Sequence, residues 1–444
     1  MELPRLTYHF ISNFLEPWAP RFLSSRLQED PLFWQGRLGY YDLESTHDRT
    51  PRIWLHAASV GEVTGALPIV CTLRERLPDA GITLTVTTPQ GFQFALTTLS
   101  QWAQILPFPL DFPAALERAL GILQPDLYVA LEGEFWPNLF RFLERRRIPA
   151  VLLNGQLSPR SASWYGLFKS LFQPIFKQFV WLAMHSEEDR NNVVRLGADP
   201  GSTCVLGSSK YDALLLRKDP TRVLAWRRML DLASEFPVLV GGSLRRLECI
   251  QLLEVFHSLQ QVAPQLIGIF APRHMAQIPE MARWLDDHKI AFQLLSQIES
   301  RRERRTSSVV LVDRIGILFE LYALGDLIFC GGTLEPFGGH NILEPAAWGK
   351  PVFYGPHLQK VADEHNILQA FKASFLVQDS ADLLGQWSYW IQHLSELRKI
   401  GDNAKGALLK LSGVSARQVE IIMTALSKRP PRDAGAYKER NRSG

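Results

Sequence analysis

Cysteine is scarce in this chain. Its 444 residues hold four, Cys71, Cys204, Cys249 and Cys330, and no two stand as a CxxC pair. That scatter excludes a disulfide framework and a zinc ribbon and points to a reducing compartment. Excess charge of one sign is lacking too. The 48 Lys and Arg nearly balance 45 Asp and Glu, leaving +3. So small a surplus gives no argument for nucleic acid as a partner, and it does not oppose an anionic membrane surface. No run of about 18 uncharged apolar residues occurs, so no transmembrane helix is expected. The N-terminus lacks the basic start and small-residue cleavage site of a secretory signal.

What is present fits a packed globule: 46% of residues are hydrophobic and 11% aromatic. The length exceeds one ordinary core, so two domains are expected. The run Leu6-Thr-Tyr-His-Phe-Ile-Ser-Asn-Phe-Leu15 is aromatic and uncharged, and Arg21 and Arg26 follow it. Two readings stay open for it: a helix lying in a membrane interface, or one packed on its own domain.

From Pro51 onward short β-branched and apolar runs alternate with helical patterns. Strands are expected over 53–57, 82–88, 105–108, 126–131 and 150–154, then over 237–240, 266–270, 291–295, 309–312, 326–330 and 351–354. Such alternation implies parallel sheets covered on both faces. In sheets of this kind ligands bind beyond the carboxyl ends of strands. That rule selects Glu62, Glu132, Ser243, Arg273 and the segment 338–344. The closing helix is expected over 406–427, and the Lys-, Arg- and Pro-rich tail 428–444 is expected to be disordered. The Arg301-Arg-Glu-Arg-Arg305 run reads as a solvated loop.

The densest stretch, residues 331–357, reads GGTLEPFGGHNILEPAAWGKPVFYGPH. A buried strand leads into two glycine pairs, and a helix is expected over 342–348, capped by His340-Asn341. Glycine lacks a Cβ and tolerates positive φ, so backbone N–H groups can approach a phosphate. Glu344 can accept from a ribose diol. Glu62 opens a helix just after a strand, where it can act as a general base or only cap free amides. Glu132 and Glu134 end a buried strand, which is costly unless they are paired or functional; Arg160 is a candidate partner. Arg273 can clamp a phosphate bidentately, Ser243 can add a hydroxyl, and Lys210 can meet a carboxylate or a phosphate. His340 and Glu344 have the spacing of a helical metal pair, with His357 and His365 downstream. There is no HExxH, and the glycines suit a phosphate better, so no metal is expected.

Six runs together resemble the 3-deoxy-D-manno-octulosonic acid (Kdo) transferases of the lipid A pathway, glycosyltransferase family 30. They are His56-Ala-Ala-Ser-Val-Gly-Glu62, Glu132-Gly-Glu-Phe-Trp-Pro-Asn138, Leu157-Ser-Pro-Arg-Ser161, Gly207-Ser-Ser-Lys-Tyr-Asp212, Ala271-Pro-Arg-His274 and the 331–357 stretch. The resemblance implies an α/β GT-B glycosyltransferase with two Rossmann-like domains facing a cleft. It implies a membrane-proximal helical segment over 1–50, an acceptor domain over 51–213 and a nucleotide-sugar domain over 214–405. It further implies a CMP-Kdo donor, a lipid A precursor acceptor (lipid IVA) and inversion without metal or cofactor. The site would be the cytoplasmic face of the bacterial inner membrane, with peripheral or N-terminal attachment. Glu62 matches the general base and Glu132 a second essential acid. Arg273 with Gly338, Gly339, His340 and Asn341 matches the phosphate ligands, and Glu344 the ribose ligand. Two runs depart from the pattern. The usual Ser-Thr/Ile-His-x-Gly-Glu reads Ser243-Leu-Arg-Arg-Leu-Glu248, without the histidine and the glycine, and Arg245 or Arg246 can substitute as phosphate ligands. The usual Asn-Ala-Arg-Leu-Ser reads Asn154-Gly-Gln-Leu-Ser158, without its basic residue. The competing readings are a UDP-sugar enzyme of the same fold and an inactive nucleotide-sugar scaffold.

Overall fold

The structure, a computed structural model, describes residues 3–41, 49–233, 236–301 and 304–428. Most of the basic tail and part of the Arg301–Arg305 run therefore lie outside the described residues. The chain divides into two compact units. One comprises the chain up to Ala213 together with the part from Ser412 on, and the other is Leu214–Leu411.

The first unit carries a sheet of β1 Arg52–Ala57, β2 Gly81–Val86, β3 Gln104–Pro107, β4 Leu127–Leu131, β5 Ala150–Gly155, β6 Phe179–Met184 and β7 Thr203–Val205. Its order is β3-β2-β1-β4-β5-β6-β7 and every pairing is parallel. The order reverses at the β1/β4 boundary. Strands β1, β4 and β5 are buried throughout, as a sheet covered on both faces requires. The helix Val60–Arg76 seats Val63, Ile69, Val70 and Leu73 on that sheet, all fully buried. Each such side chain contributes about 1.5–3 kcal/mol of transfer free energy. Pro68 lies inside this helix. Between β5 and β7 the sequence pattern had suggested no element. The chain there forms helices Pro159–Leu167, Lys169–Gln178 and Glu187–Arg195 as well as β6.

The N-terminal helix Leu3–Leu15 is two-faced. On one side His9 Nδ1 lies 2.9 Å from Asn138 Oδ1, and Ser12 Oγ accepts from Asn138 Nδ2 at 2.7 Å. On the other, Leu3, Phe10 and Phe14 are 76%, 74% and 69% exposed, and Trp18 and Phe22 beyond it are exposed as well. Packing on its own unit is thus observed, and an apolar face remains.

The second unit repeats the plan with β8 Val238–Leu244, β9 Ile267–Pro272, β10 Phe292–Leu294, β11 Val309–Leu311, β12 Leu327–Cys330, β13 Val352–Tyr354 and β14 Ser374–Leu376. The order is β10-β11-β9-β8-β12-β13-β14, again all parallel. Here the order reverses between β8 and β12.

The segment 406–427, expected as a single closing helix, is split. Its first part belongs to helix Leu394–Leu411 of the second unit, and Val414–Ser427 packs in the first. Gly413 breaks the run at φ 76°, a left-handed conformation that suits glycine. Asp212 then caps the new helix, accepting from Gly413 N–H at 2.6 Å and Ser415 N–H at 2.7 Å.

Candidate active site

In the first unit the functional candidates gather where the strand order reverses, outside the carboxyl ends of β1 and β4. After β1, Ser59 caps helix Val60–Arg76 and accepts the Glu62 N–H at 3.4 Å. The Glu62 carboxylate reaches back, taking the Ala58 N–H at 2.7 Å and the Ser59 hydroxyl at 3.3 Å. This differs from a capping box only in that the N–H taken is that of Ala58, one residue before the cap, so Glu62 does cap the helix start. Capping does not leave it an ordinary acid. Burial pushes its carboxyl up to about 7, the Ala58 bond opposes that rise, and the charges of Glu132 and Glu134 add to it.

Glu132 follows β4 in a left-handed conformation, φ 61°. The expected partner Arg160 is not the one found. Lys210 Nζ lies 2.5 Å from Glu132 Oε1, because a buried network carries its loop there. Asn154 Nδ2 donates to Ser209 Oγ (2.7 Å), the Ser209 N–H donates to Asn154 Oδ1 (2.9 Å), and Ser209 Oγ donates to Gly65 O (2.7 Å). Gln418 of the returning helix donates to the same Asn154 oxygen at 2.9 Å. Arg160 instead is exposed at the start of helix Pro159–Leu167, lining a cavity of about 520 Å³ with Trp164, Tyr165 and Leu167.

Glu134 has its own support. Its Oε2 receives His56 Nε2 at 2.7 Å, and Thr87 Oγ1 and Trp136 Nε1 at 3.1 Å each. His56 is fully buried on β1 and stacks on Phe108. Burial alone would raise Glu134, but the His56 contact and the two further hydrogen bonds hold it at about 2. Neighbouring carboxylates with pKa values pushed apart suit one base and one fixed anion. His56 belongs to the matching run at 56–62, yet its bond to a residue 78 positions on has no sequence signal.

In the second unit the candidates again lie at the reversal point, after β8, β9 and β12. The first glycine pair does not offer its amides to a ligand. Glu248, fully buried in helix Leu247–Gln260, accepts the N–H groups of Gly332 (2.6 Å), Thr333 (2.9 Å), Leu334 (2.9 Å) and Arg245 (2.9 Å). Gly331 is required there, since a Cβ would fall 2.6 Å from Ser243 O and 2.9 Å from Glu248 Oε2. In the second pair Gly338 and Gly339 sit at φ 89° and 91°, and the Gly339 N–H is donated to Gly332 O at 2.8 Å. The following helix is shorter than expected, Leu343–Ala347, and Asn341 Oδ1 takes the Leu343 N–H at 3.1 Å.

Ser243 is at φ 55° beside a register shift in β8. Arg273 is exposed just beyond β9, with its N–H on Leu244 O at 2.8 Å. His340 accepts from Arg245 Nε at 3.1 Å. Burial lowers its imidazole to about 4, and the charges of Arg245, Arg273, Lys360 and His274 act in the same direction. Glu344 is raised by burial and partly restrained by Arg217, whose Nη1 is 3.3 Å away. Among the described residues no three His, Cys, Asp or Glu come together as a metal set.

Residues 33–213 match the family described as 3-deoxy-D-manno-octulosonic-acid transferase (kdotransferase). The 3-deoxy-D-manno-octulosonic acid transferase of Haemophilus influenzae is 30% identical over 382 residues, covering 85% of this chain and 87% of that protein. The enzyme of the same name from Aquifex aeolicus is 29% identical over 345 residues, covering 78% and 87%. Among solved structures, a UDP-GlcNAc 2-epimerase from Neisseria meningitidis aligns with a TM-score of 0.59 at 14% identity, covering 84% of this chain and 99% of that one. A glycosyltransferase from Rickettsia africae aligns at 0.57 and 13%, covering 85% and 99%. These structural likenesses speak for the fold alone, an α/β fold of the GT-B type. With the Haemophilus relative aligned over most of both sequences, the chain belongs to the 3-deoxy-D-manno-octulosonic acid transferase family of glycosyltransferases.

Proposed function

We propose that the protein transfers Kdo from CMP-Kdo to a hydroxyl of a lipid A precursor such as lipid IVA, with inversion and without a metal. The observation that carries this reading is the Glu62 carboxyl, held near neutrality at the reversal point of its sheet. A base is most effective when its pKa lies near the working pH. Glu62 takes the proton of the acceptor hydroxyl as that oxygen bonds to the anomeric carbon. The bond from that carbon to the phosphate oxygen breaks, and CMP leaves with the electron pair. One displacement at one carbon inverts it. Glu132, steadied by Lys210, serves as the second acid on the acceptor side, and Arg160 is a further acceptor contact. On the donor side Arg273, Ser243, His340 and Asn341 take the phosphate of departing CMP, where fixed positive groups stabilise developing charge. Gly338 and Gly339 shape that loop, and Glu344 accepts from the ribose.

Attachment to the cytoplasmic face of the inner membrane is part of the same proposal. The exposed face of Leu3, Phe10 and Phe14 supports it, being an apolar stripe suited to an interface. No described helix is long and apolar enough to cross a membrane.

The test supplies the chain with lipid IVA and either CMP-Kdo or UDP-sugars, in excess EDTA. The product is read by mass and its anomeric configuration by NMR. Inverted Kdo product with EDTA present is expected. Transfer from a UDP-sugar alone, or retention of configuration, would overturn the proposal.

A further inference from the structure

The loop that departs from the family pattern, 243–248, stands among cations that form no ion pair among the described residues, though the charge of Arg273 also acts on Glu344. Arg245 gives its Nε–H to His340 at 3.1 Å, and its guanidinium carbon stands 4.7 Å from the Phe337 ring centre. Arg246 lies over the same ring at 5.4 Å. Arg273 and Lys360 also act electrostatically on His340. Among the described residues none of these four cations is in an ion pair, whereas Arg217 of the same unit is paired with Glu344. Glu248, the acid within the loop, is closed off by its four backbone amides. Four converging cations, with only Glu344 near one of them and that acid already paired with Arg217, are unfavourable together, and the arrangement calls for an anionic ligand.

The geometry also fixes how Arg245 meets that ligand. His340 Nε2 accepts, so its hydrogen sits on Nδ1 and the ring remains neutral. His340 therefore holds one edge of the guanidinium without cancelling its charge, and Phe337 sets its plane. Arginine stacked in this way keeps both Nη groups for a planar oxyanion, which it binds bidentately.

The donor proposed above, CMP-Kdo, on which the inference rests, bears two anionic groups on its anomeric carbon, the phosphate and the sugar carboxylate. A site with Arg273 alone would answer only one. We infer that Arg245, oriented by His340 and Phe337, is the ligand for the carboxylate of the donor sugar, and that it selects an acidic sugar over a neutral one.

The test compares wild type, Arg245→Ala, Arg245→Lys and Arg245→Met, the last keeping bulk over Phe337 should the shortest variant lose its fold. CMP affinity is measured by calorimetry and the KM for CMP-Kdo by transfer to lipid IVA. CMP carries the phosphate without the carboxylate. Arg245→Ala and Arg245→Met are expected to raise the KM for CMP-Kdo roughly 10–100-fold, as loss of a charged hydrogen bond does. CMP affinity should stay within about twofold, and Arg245→Lys should recover part of the loss. Equal losses for CMP and CMP-Kdo would make Arg245 a phosphate ligand and overturn the inference, as would an unchanged KM. A wild type that binds CMP but does not use CMP-Kdo would bring down the donor reading and this inference with it.

Discussion

Replacing Glu248 by glutamine probes how the donor-side loop is held. Its Oε2 takes the Gly332 and Arg245 amides and its Oε1 those of Thr333 and Leu334. Whichever oxygen becomes an NH2 group, two backbone N–H donors then face another donor. Hydrogen bonds to a charged group contribute about 1.5–3 kcal/mol each, and a buried donor left unmatched costs about 1–3 kcal/mol. The expected cost is therefore about 3 kcal/mol or more, concentrated at the loop after β12. Amide hydrogen exchange followed by mass spectrometry reads it directly. Peptides spanning 331–337 should exchange on the order of 100-fold faster in Glu248→Gln, with strands β1 and β4 unchanged. CMP affinity should fall together with that protection. Unchanged exchange at 331–337 would refute the reasoning, because it would mean that the carboxylate is not what holds these amides.

Three further predictions concern the first unit. Transfer should follow ionisation of Glu62 near pH 7: the carboxylate is the active form, so kcat/KM should drop roughly tenfold from pH 8 to pH 6. A midpoint near 4.5 would contradict the raised value. Asp212→Ala removes the acceptor for Gly413 and Ser415 N–H and should cost about 1–2 kcal/mol in urea unfolding, as loss of a helix cap does; no change would mean the returning helix is held otherwise. Phe10→Ser with Phe14→Ser should weaken binding to phosphatidylglycerol vesicles at least tenfold, from the apolar area withdrawn (about 25 cal/mol per Å²), and equal binding would remove this helix from the interface.

Much of the architecture was legible because its signals are local. The β1 run, its tight loop and Glu62 at the helix start are contiguous in the chain, so the strand-to-helix turn and the acid on it could be read together. The acid-bearing end of β4 was legible for the same reason. Pairings across the fold were not. Lys210 meets Glu132 only because Asn154 and Ser209 dock its loop, and position 160 offered an equally plausible cation in the sequence. In the first half of the glycine stretch the amides of Gly332, Thr333 and Leu334 are taken by Glu248 and are not free; the glycines themselves carry no sequence signal for that distant acid. The helix Lys169–Gln178 after β5 is obscured in the sequence by Pro174, which lies inside it, and by the apolar run of β6 that directly follows. Gly413, which divides the closing segment, is one residue whose turn follows from φ alone.

The central claim is that Glu62 removes the acceptor proton. The most direct measurement sets Glu62→Ala beside wild type, with Kdo transfer from CMP-Kdo to lipid IVA read by product mass and CMP binding read by calorimetry. The account predicts that transfer falls by at least 100-fold while CMP affinity, assigned in the proposal to the second unit, is unchanged. Transfer retained in Glu62→Ala at wild-type rates, with CMP still bound, would contradict it.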